Sequence, residues 1–161
     1  MNIRKSTPAD LPAILDIYRA AREFMQQNGN PNQWKQNHPP QDAVEADIRS
    51  GESYVCECDG QVLAVFYFST TPDPTYAKID GAWLNNQPYA VVHRIARAQT
   101  PAAKGIGAFC LNWCYQQLPN TRIDTHKDNI PMVRLLENLG FQQCGIIWLA
   151  NGEERLAFHR A

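Results

Sequence analysis

The chain has 161 residues and a formal net charge of -1, which suits one domain over residues 1–161 with a single sizeable core and argues against nucleic acid or an anionic membrane as main partner. No stretch approaches the roughly 18 apolar residues of a membrane span, and Met1-Asn2-Ile3-Arg4-Lys5 leads into no signal-peptide core, so a soluble cytoplasmic protein is expected. The five cysteines (Cys56, Cys58, Cys110, Cys114, Cys144) are odd in number and form no C-x-x-C pair, so neither a disulfide framework nor a metal site is expected, and most read as small core residues.

In chain order, Asn2 to Lys5 reads as a short edge strand. Thr7-Pro8-Ala9-Asp10 then supplies a cap, an early proline and a first-turn acid for a helix to about Gln27, with Leu11, Ile14, Leu15, Tyr18, Ala21 and Met25 as its buried stripe. Gln26 to Pro40 has no apolar period and is a loop of a length that usually has a function. Its one large apolar side chain, Trp34, either staples the loop to the core or lines a pocket. Asp42 and Glu45 have capping-box spacing for a shorter helix carrying Val44 and Ile48 and ending at Gly51.

From Tyr54 the period becomes that of strands. Tyr54 to Cys58, Asp59-Gly60, and Gln61 to Phe68 form a hairpin. Pro72 and Pro74 interrupt, Ile79 to Leu84 is a short extended piece, and a strand begins at Tyr89. It loosens into Arg97 to Ala103 and passes through Lys104-Gly105-Ile106-Gly107 into a helix with Ile106, Phe109, Cys110, Trp113 and Cys114 at three- and four-residue spacings, stopping at Pro119-Asn120. Arg122 to His126 is a strand, and Asn129 to Phe141 contains a helix with a Met132, Leu135, Leu136, Leu139 face and Gly140 as its C-cap. A hairpin of Gln142 to Leu149 and Glu153 to His159, turning at Asn151-Gly152, ends the chain. The order β-α-α-β-β-β-β-α-β-α-β-β, in which Ile79 to Leu84 is only a short extended piece, demands an α/β protein of α+β type, with a mixed, mostly antiparallel sheet of about seven strands flanked by four helices.

A strand, a glycine loop and a helix make a site where a phosphate can approach unpaired helix N–H groups; the alternative is a helix that simply begins with glycines. The dinucleotide fingerprint is set aside, because its third glycine falls at Cys110 and the strand order is not a repeated βαβ. Ala102-Ala103-Lys104-Gly105-Ile106-Gly107 instead resembles the acetyl-CoA signature of the GCN5-related N-acetyltransferase (GNAT) family, Gln/Arg-x-x-Gly-x-Gly/Ala, with Ala102 where the family usually has Arg or Gln. Asn129…Leu135…Gly140-Phe141 is similar to the family's Asn-x-x-Ala-x-x-Leu-Tyr-x-x-x-Gly-Phe segment, with Leu136 in the place of the tyrosine proposed as general acid. Ile3-Arg4…Asp10-Leu11…Ile14 is similar to the family's opening, so the resemblance covers nearly the whole chain.

The resemblance implies the GNAT fold and acetyl transfer from acetyl-CoA to a primary amine of a small molecule or peptide, by direct attack in a ternary complex without a metal; a homodimer is plausible from the family. It implies that Ile95 and Arg97 offer backbone groups to a pantetheine arm between splayed strands, that Lys104, Gly105, Ile106, Gly107 and Ala108 form the pyrophosphate nest, and that Asn129 contacts the pantetheine. The N–H near Ile95 is the natural donor to the thioester oxygen. His93, Asp124 and His126 are candidate bases: strand alternation puts His93 on the face of Ile95, and Asp124 on that of His126. The alternatives are that His93 and Arg94 pair with core carboxylates such as Asp80 and that the proton leaves through ordered water. In this fold the connection between the first two helices overhangs the splayed strands, so the loop with Gln33 and Trp34 is expected to bind the acceptor. Other readings are a non-catalytic acyl-CoA-binding or sensing module, favoured by Ala102 and Leu136, and an acyltransferase with a longer acyl donor.

Overall fold

The computed structural model describes Met1–Ala161. It contains the strands β1 (Asn2–Lys5), β2 (Ser53–Cys58), β3 (Gln61–Ser69), β4 (Asp80–Gly81), β5 (Ala90–Arg97), β6 (Thr121–Thr125), β7 (Gln142–Trp148) and β8 (Glu154–Arg160). The helices are α1 (Leu11–Gln27), α2 (Gln41–Arg49), α3 (Ile106–Gln117) and α4 (Ile130–Asn138). All eight strands form one sheet in the order β1-β2-β3-β5-β6-β8-β7-β4, every pair antiparallel except β5 with β6. The strand β4 is what remains of the expected Ile79–Leu84 piece: two residues that pair with β7 at the far edge. No helix is long and apolar enough to cross a membrane.

The turns follow from the residues that tolerate them. Asp59 and Gly60 both have positive φ (52° and 77°), the two-residue geometry that matches the twist of a hairpin. Gly51 and Gly140 close α2 and α4 with the same pair of bonds: Glu52 and Phe141 donate back to Asp47 and Leu136, and the glycines to Ile48 and Glu137. Asp10 anchors the start of α1, accepting the Thr7 N–H at 2.7 Å and both Arg4 guanidinium arms at 2.8 and 2.9 Å. The hydrogen bonds from Arg4 hold its carboxyl down to about 2 against the opposing effect of burial. At α2 the expected capping box is not formed. The helix begins one residue earlier than Asp42, at Gln41 after Pro40, and the Asp42 carboxylate takes the adjacent Ala43 N–H while Glu45 pairs with Gln41.

Helices cover both sheet faces. On one face α3 and α4 bury Ile106, Cys110, Leu111, Cys114 and Leu136 against Ala64, Phe66, Phe68, Val92, Ile123 and Phe158. Leu136 is fully buried, so where the family motif has tyrosine this chain has a core residue. Phe109, assigned to the inner face of α3 by its spacing, is exposed, and Leu111 takes its place in the core. On the other face α1 and α2 set Ile14, Ile17, Tyr18, Ala21 and Val44 on Val55, Val65 and Ala96. Ile17 lies outside the sequence-derived stripe because the buried face of α1 is wider than a single i, i+3, i+4 row.

Candidate active site

The site starts from a fault in β5. Opposite β3, Val65 pairs with Ala96 and Tyr67 with His93, so Arg94 and Ile95 together face the single residue Phe66. This is a β-bulge, and Arg94 adopts a φ of 49°, a conformation that costs a non-glycine residue about 1 kcal/mol or more. Contacts from both covering helices hold it there. Tyr18 of α1 donates to the Arg94 carbonyl at 2.8 Å, the Arg94 guanidinium makes a two-point ion pair with Asp47 of α2 at 2.8 and 2.9 Å, and it lies 4.7 Å from the Tyr67 ring centre.

The bulge has two consequences. First, β5 and β6 pair only at Ala90–Thr121 and Val91–Arg122; beyond Val91 the two strands part, and the edge of β5 that faces β6 has no partner strand. Second, the alternation that put His93 and Ile95 on one face is broken. Ile95 packs into the core with Ala90 and Val92, while His93 points to the opposite face, 5.9 Å from the Tyr76 ring and 5.8 Å from that of Tyr67.

The open end of the split is a cleft of about 530 Å³, within the range of small-molecule sites. His93, Arg94, Ile95, Asp124, Gln33 and Trp34 all line it. His93 bridges two carboxylates, with Nε2 2.6 Å from Asp73 and Nδ1 3.6 Å from Asp124. The expected partner Asp80 lies exposed in the edge strand β4, well away from both His93 and Arg94. Burial raises the Asp73 carboxyl, but the hydrogen bonds from His93 and Thr75 outweigh it and hold the group at about 2. Tyr76 donates to Asp124 at 2.6 Å, and burial, then the Asp124 charge, push its phenol well above the ordinary value. With Asp73 bound to Nε2–H, the Nδ1 lone pair of a neutral imidazole is left facing Asp124.

His126 does not join this group. It follows the end of β6 and lines a neighbouring recess with Lys127, Glu154 and Arg155, its Nδ1 accepting the Asp128 N–H at 3.0 Å. Burial, followed by the Arg155 charge, lowers its basicity. No three His, Cys, Asp or Glu side chains are grouped as a metal site would require.

At the start of α3, Gly105 has a φ of 78°, which turns the chain out of the short helical turn Pro101–Ala103 and into the helix. The amides of Gly105, Ile106, Gly107 and Ala108 donate to no protein group; the first helical bond is Phe109 N–H to the Gly105 carbonyl. Lys104 and Gly105 face solvent. A Cβ on Gly107 would meet only the Leu135 Cδ2 at 3.3 Å. Arg97 stays in the ladder opposite Ala64, and its carbonyl accepts from the Gln99 side chain at 3.1 Å. The Asn129 side chain is engaged at both ends: its oxygen caps α4 through Met132 N–H at 3.2 Å, and its amide donates to Gln33 at 2.9 Å.

Gln33 ties the α1–α2 connection across the cleft. It reaches Asn129 on one side and Thr125 at 3.4 Å on the other, and its own carbonyl accepts from Arg155 at 3.2 Å. Trp34 is only 7 % exposed, set edge-on to Tyr18 at 5.7 Å, and it also borders the cleft. Both uses suggested by its sequence context therefore fall on one side chain. Trp34→Ala is expected to destabilise the fold by about 3 kcal/mol. If the ring also contacts the acceptor, Trp34→Phe, which keeps an aromatic ring on Tyr18, should raise acceptor KM while acetyl-CoA affinity holds. A melting temperature unchanged in Trp34→Ala would show that this ring does not anchor the loop.

Several of these groups lay outside the sequence-derived site. Asp73 sits among prolines with no period to mark it, and Asp47 and Tyr18 look like ordinary helix residues. Arg155 occupies a hairpin strand where alternation alone says nothing of the cleft.

Comparison with known proteins agrees with this fold. A model described as the acetyltransferase (GNAT) family matches residues 12–141. Among solved structures, an acetyltransferase of the GNAT family from Streptococcus agalactiae is 27 % identical, with a TM-score of 0.89 over 99 % of this chain and 94 % of its own. One of the same description from Listeria monocytogenes is 18 % identical, with a TM-score of 0.73 over 99 % and 93 %. A ribosomal-protein-alanine N-acetyltransferase from Brucella melitensis is 20 % identical, with a TM-score of 0.66 over 99 % of both chains. No curated protein is similar enough in sequence to match.

Proposed function

The chain belongs to the acetyltransferase (GNAT) family, and from that premise we propose that it moves an acetyl group from acetyl-CoA to a primary amine of a small molecule or peptide by direct attack in a ternary complex. The observation that carries the reading is the parting of β5 and β6 beyond Val91, which leaves a strand edge open beside four unpaired amides at the start of α3. Those amides suit a pyrophosphate: they point out of a helix N-terminus, and Gly105 and Gly107 put no side chain in front of them. Ile95 and Arg97 offer the open strand edge to the pantetheine. Asn129 gives one amide N–H to Gln33 and has the second to offer to the pantetheine.

Acetyl-CoA supplies a thioester carbonyl open to aminolysis. Asp124 and the Nδ1 of His93 converge on one point of the cleft, where an ammonium can donate to both. His93 takes one proton as base, and Asp73 holds the Nε2–H so that the lone pair stays on Nδ1. The freed nitrogen pair forms the C–N bond, the N–H near Ile95 is the donor for the oxygen that gains charge, the C–S pair leaves with sulfur, and the second amine proton passes from the new amide nitrogen to solvent. Leu136, buried and apolar, cannot protonate that sulfur, so its proton comes from solvent or is returned from His93.

The test is thiol release on mixing the protein with acetyl-CoA and a panel of primary amines, with the N-acetylated product identified by mass. One thiol per acetylated amine is expected. Acetyl-CoA binding without release from any amine would favour a non-catalytic acyl-CoA-binding module, and faster release from longer acyl chains would favour a different donor.

A further inference from the structure

We infer that the acceptor is a small zwitterion, an amine that also carries a carboxylate, with its ammonium at Asp124 and His93 and its carboxylate toward Arg155 and Lys35. The inference rests on the acetyl-transfer reading above and narrows its acceptor.

The cleft has two poles of opposite sign. At the first, Asp73 and Asp124 flank the one imidazole of His93, so at least one negative charge stays uncompensated whatever the protonation of the ring. At the second, Lys35 Nζ at 2.8 Å and Arg155 Nη2 at 3.3 Å share the single carboxylate of Glu153, two cations for one anion. Arg94, the third cation of the cleft wall, is neutralised by Asp47 and belongs to neither pole. The recess behind Arg155 adds one cation and one anion, Lys127 and Glu154, to its lining.

Arg155 is the better anchor of the two. It is 5 % exposed, yet it borders both the cleft and the recess. Its guanidinium donates to the Glu154 carbonyl at 2.8 Å, to the Gln33 carbonyl and to Glu153, which leaves Nε–H and one Nη1–H without a protein acceptor. A buried cation with spare donors gains from an anion that completes its shell. A substrate carboxylate would do so and would neutralise the excess positive charge of the pole. A polyamine would place a second ammonium against the same two cations, and an unmodified peptide amine has no carboxylate beside it.

The experiment compares acid and amide. For a series of α- and ω-amino acids, each paired with its own carboxamide, kcat/KM is measured by thiol release at equal concentrations of the ammonium form. The best acid is expected to exceed its amide by about tenfold or more. Lys35→Gln, an exposed site, should shrink that ratio, and Arg155→Gln should bring it close to one. A ratio near one in the wild-type enzyme, or a ratio unchanged in folded Lys35→Gln protein, overturns the zwitterion. Amides turned over as well as acids would refute this inference and leave acetyl transfer standing, whereas acetyl-CoA bound with no thiol release from either series would refute both.

Discussion

His93→Gln is expected to lower kcat/KM for amine acetylation by about 10²–10⁴-fold, the range spanned by loss of a general base. Glutamine suits the test because its side-chain amide can still donate to Asp73, which sits 2.6 Å from the imidazole, so the carboxylate is not left buried without a donor. A general base leaves its mark on the pH dependence of kcat/KM, so the His93→Gln profile should differ from that of the wild-type enzyme. His126→Gln is the control. His126 lies in the neighbouring recess, and its substitution should leave both rate and profile intact. Asp73→Asn should fall between the two, because asparagine no longer imposes the Nδ1 lone pair but leaves the ring in place. If wild-type and His93→Gln profiles coincide, with similar rates, the proton leaves by another route and the assignment of His93 fails.

Much of the fold was open to inspection in the sequence. Asp59-Gly60 and Asn151-Gly152 fix the two hairpins, Gly51 and Gly140 close their helices, and the change of period at Tyr54 locates the sheet. These signals are local, depending on φ preferences and side-chain spacing within a few residues. The site depends on what is not local. A regular strand puts His93 and Ile95 on one face; the bulge that separates them is held by Tyr18, 76 positions before Arg94, and by Asp47, 47 positions before it. The bulge also permits the split between β5 and β6, so one irregularity that no period records sets both the direction of His93 and the opening of the cleft. Asp73 and Arg155 escaped for the same reason: each owes its place to contacts across the fold, with His93 and with the α1–α2 connection.

The start of α3 differs in that sequence and geometry point to the same few atoms, and there a single substitution should have a large effect. Gly107→Glu is expected to weaken acetyl-CoA binding by about 100-fold or more, the equivalent of two charge-assisted hydrogen bonds. The new carboxylate would sit in the first helical turn beside the unpaired amides of Gly105 to Ala108, taking their donors for itself and repelling a pyrophosphate. The fold should tolerate it. The added Cβ meets only the mobile end of Leu135 at 3.3 Å, Gly107 has no positive φ to preserve, and an acid at a helix N-terminus is favourable by about 0.3–1 kcal/mol. Gly107→Ala separates bulk from charge: it adds the same Cβ without the carboxylate, and its affinity should stay close to that of the wild type. Gly105→Ala probes a third quantity, since Gly105 holds a φ of 78° and alanine there strains the turn while meeting no neighbour. Calorimetry with acetyl-CoA, read beside the thermal melt of each variant, distinguishes the three cases. A folded Gly107→Glu protein that binds acetyl-CoA as tightly as the wild type would show that the pyrophosphate does not lie at this helix terminus, and the cofactor site would have to be sought elsewhere along the open edge of β5.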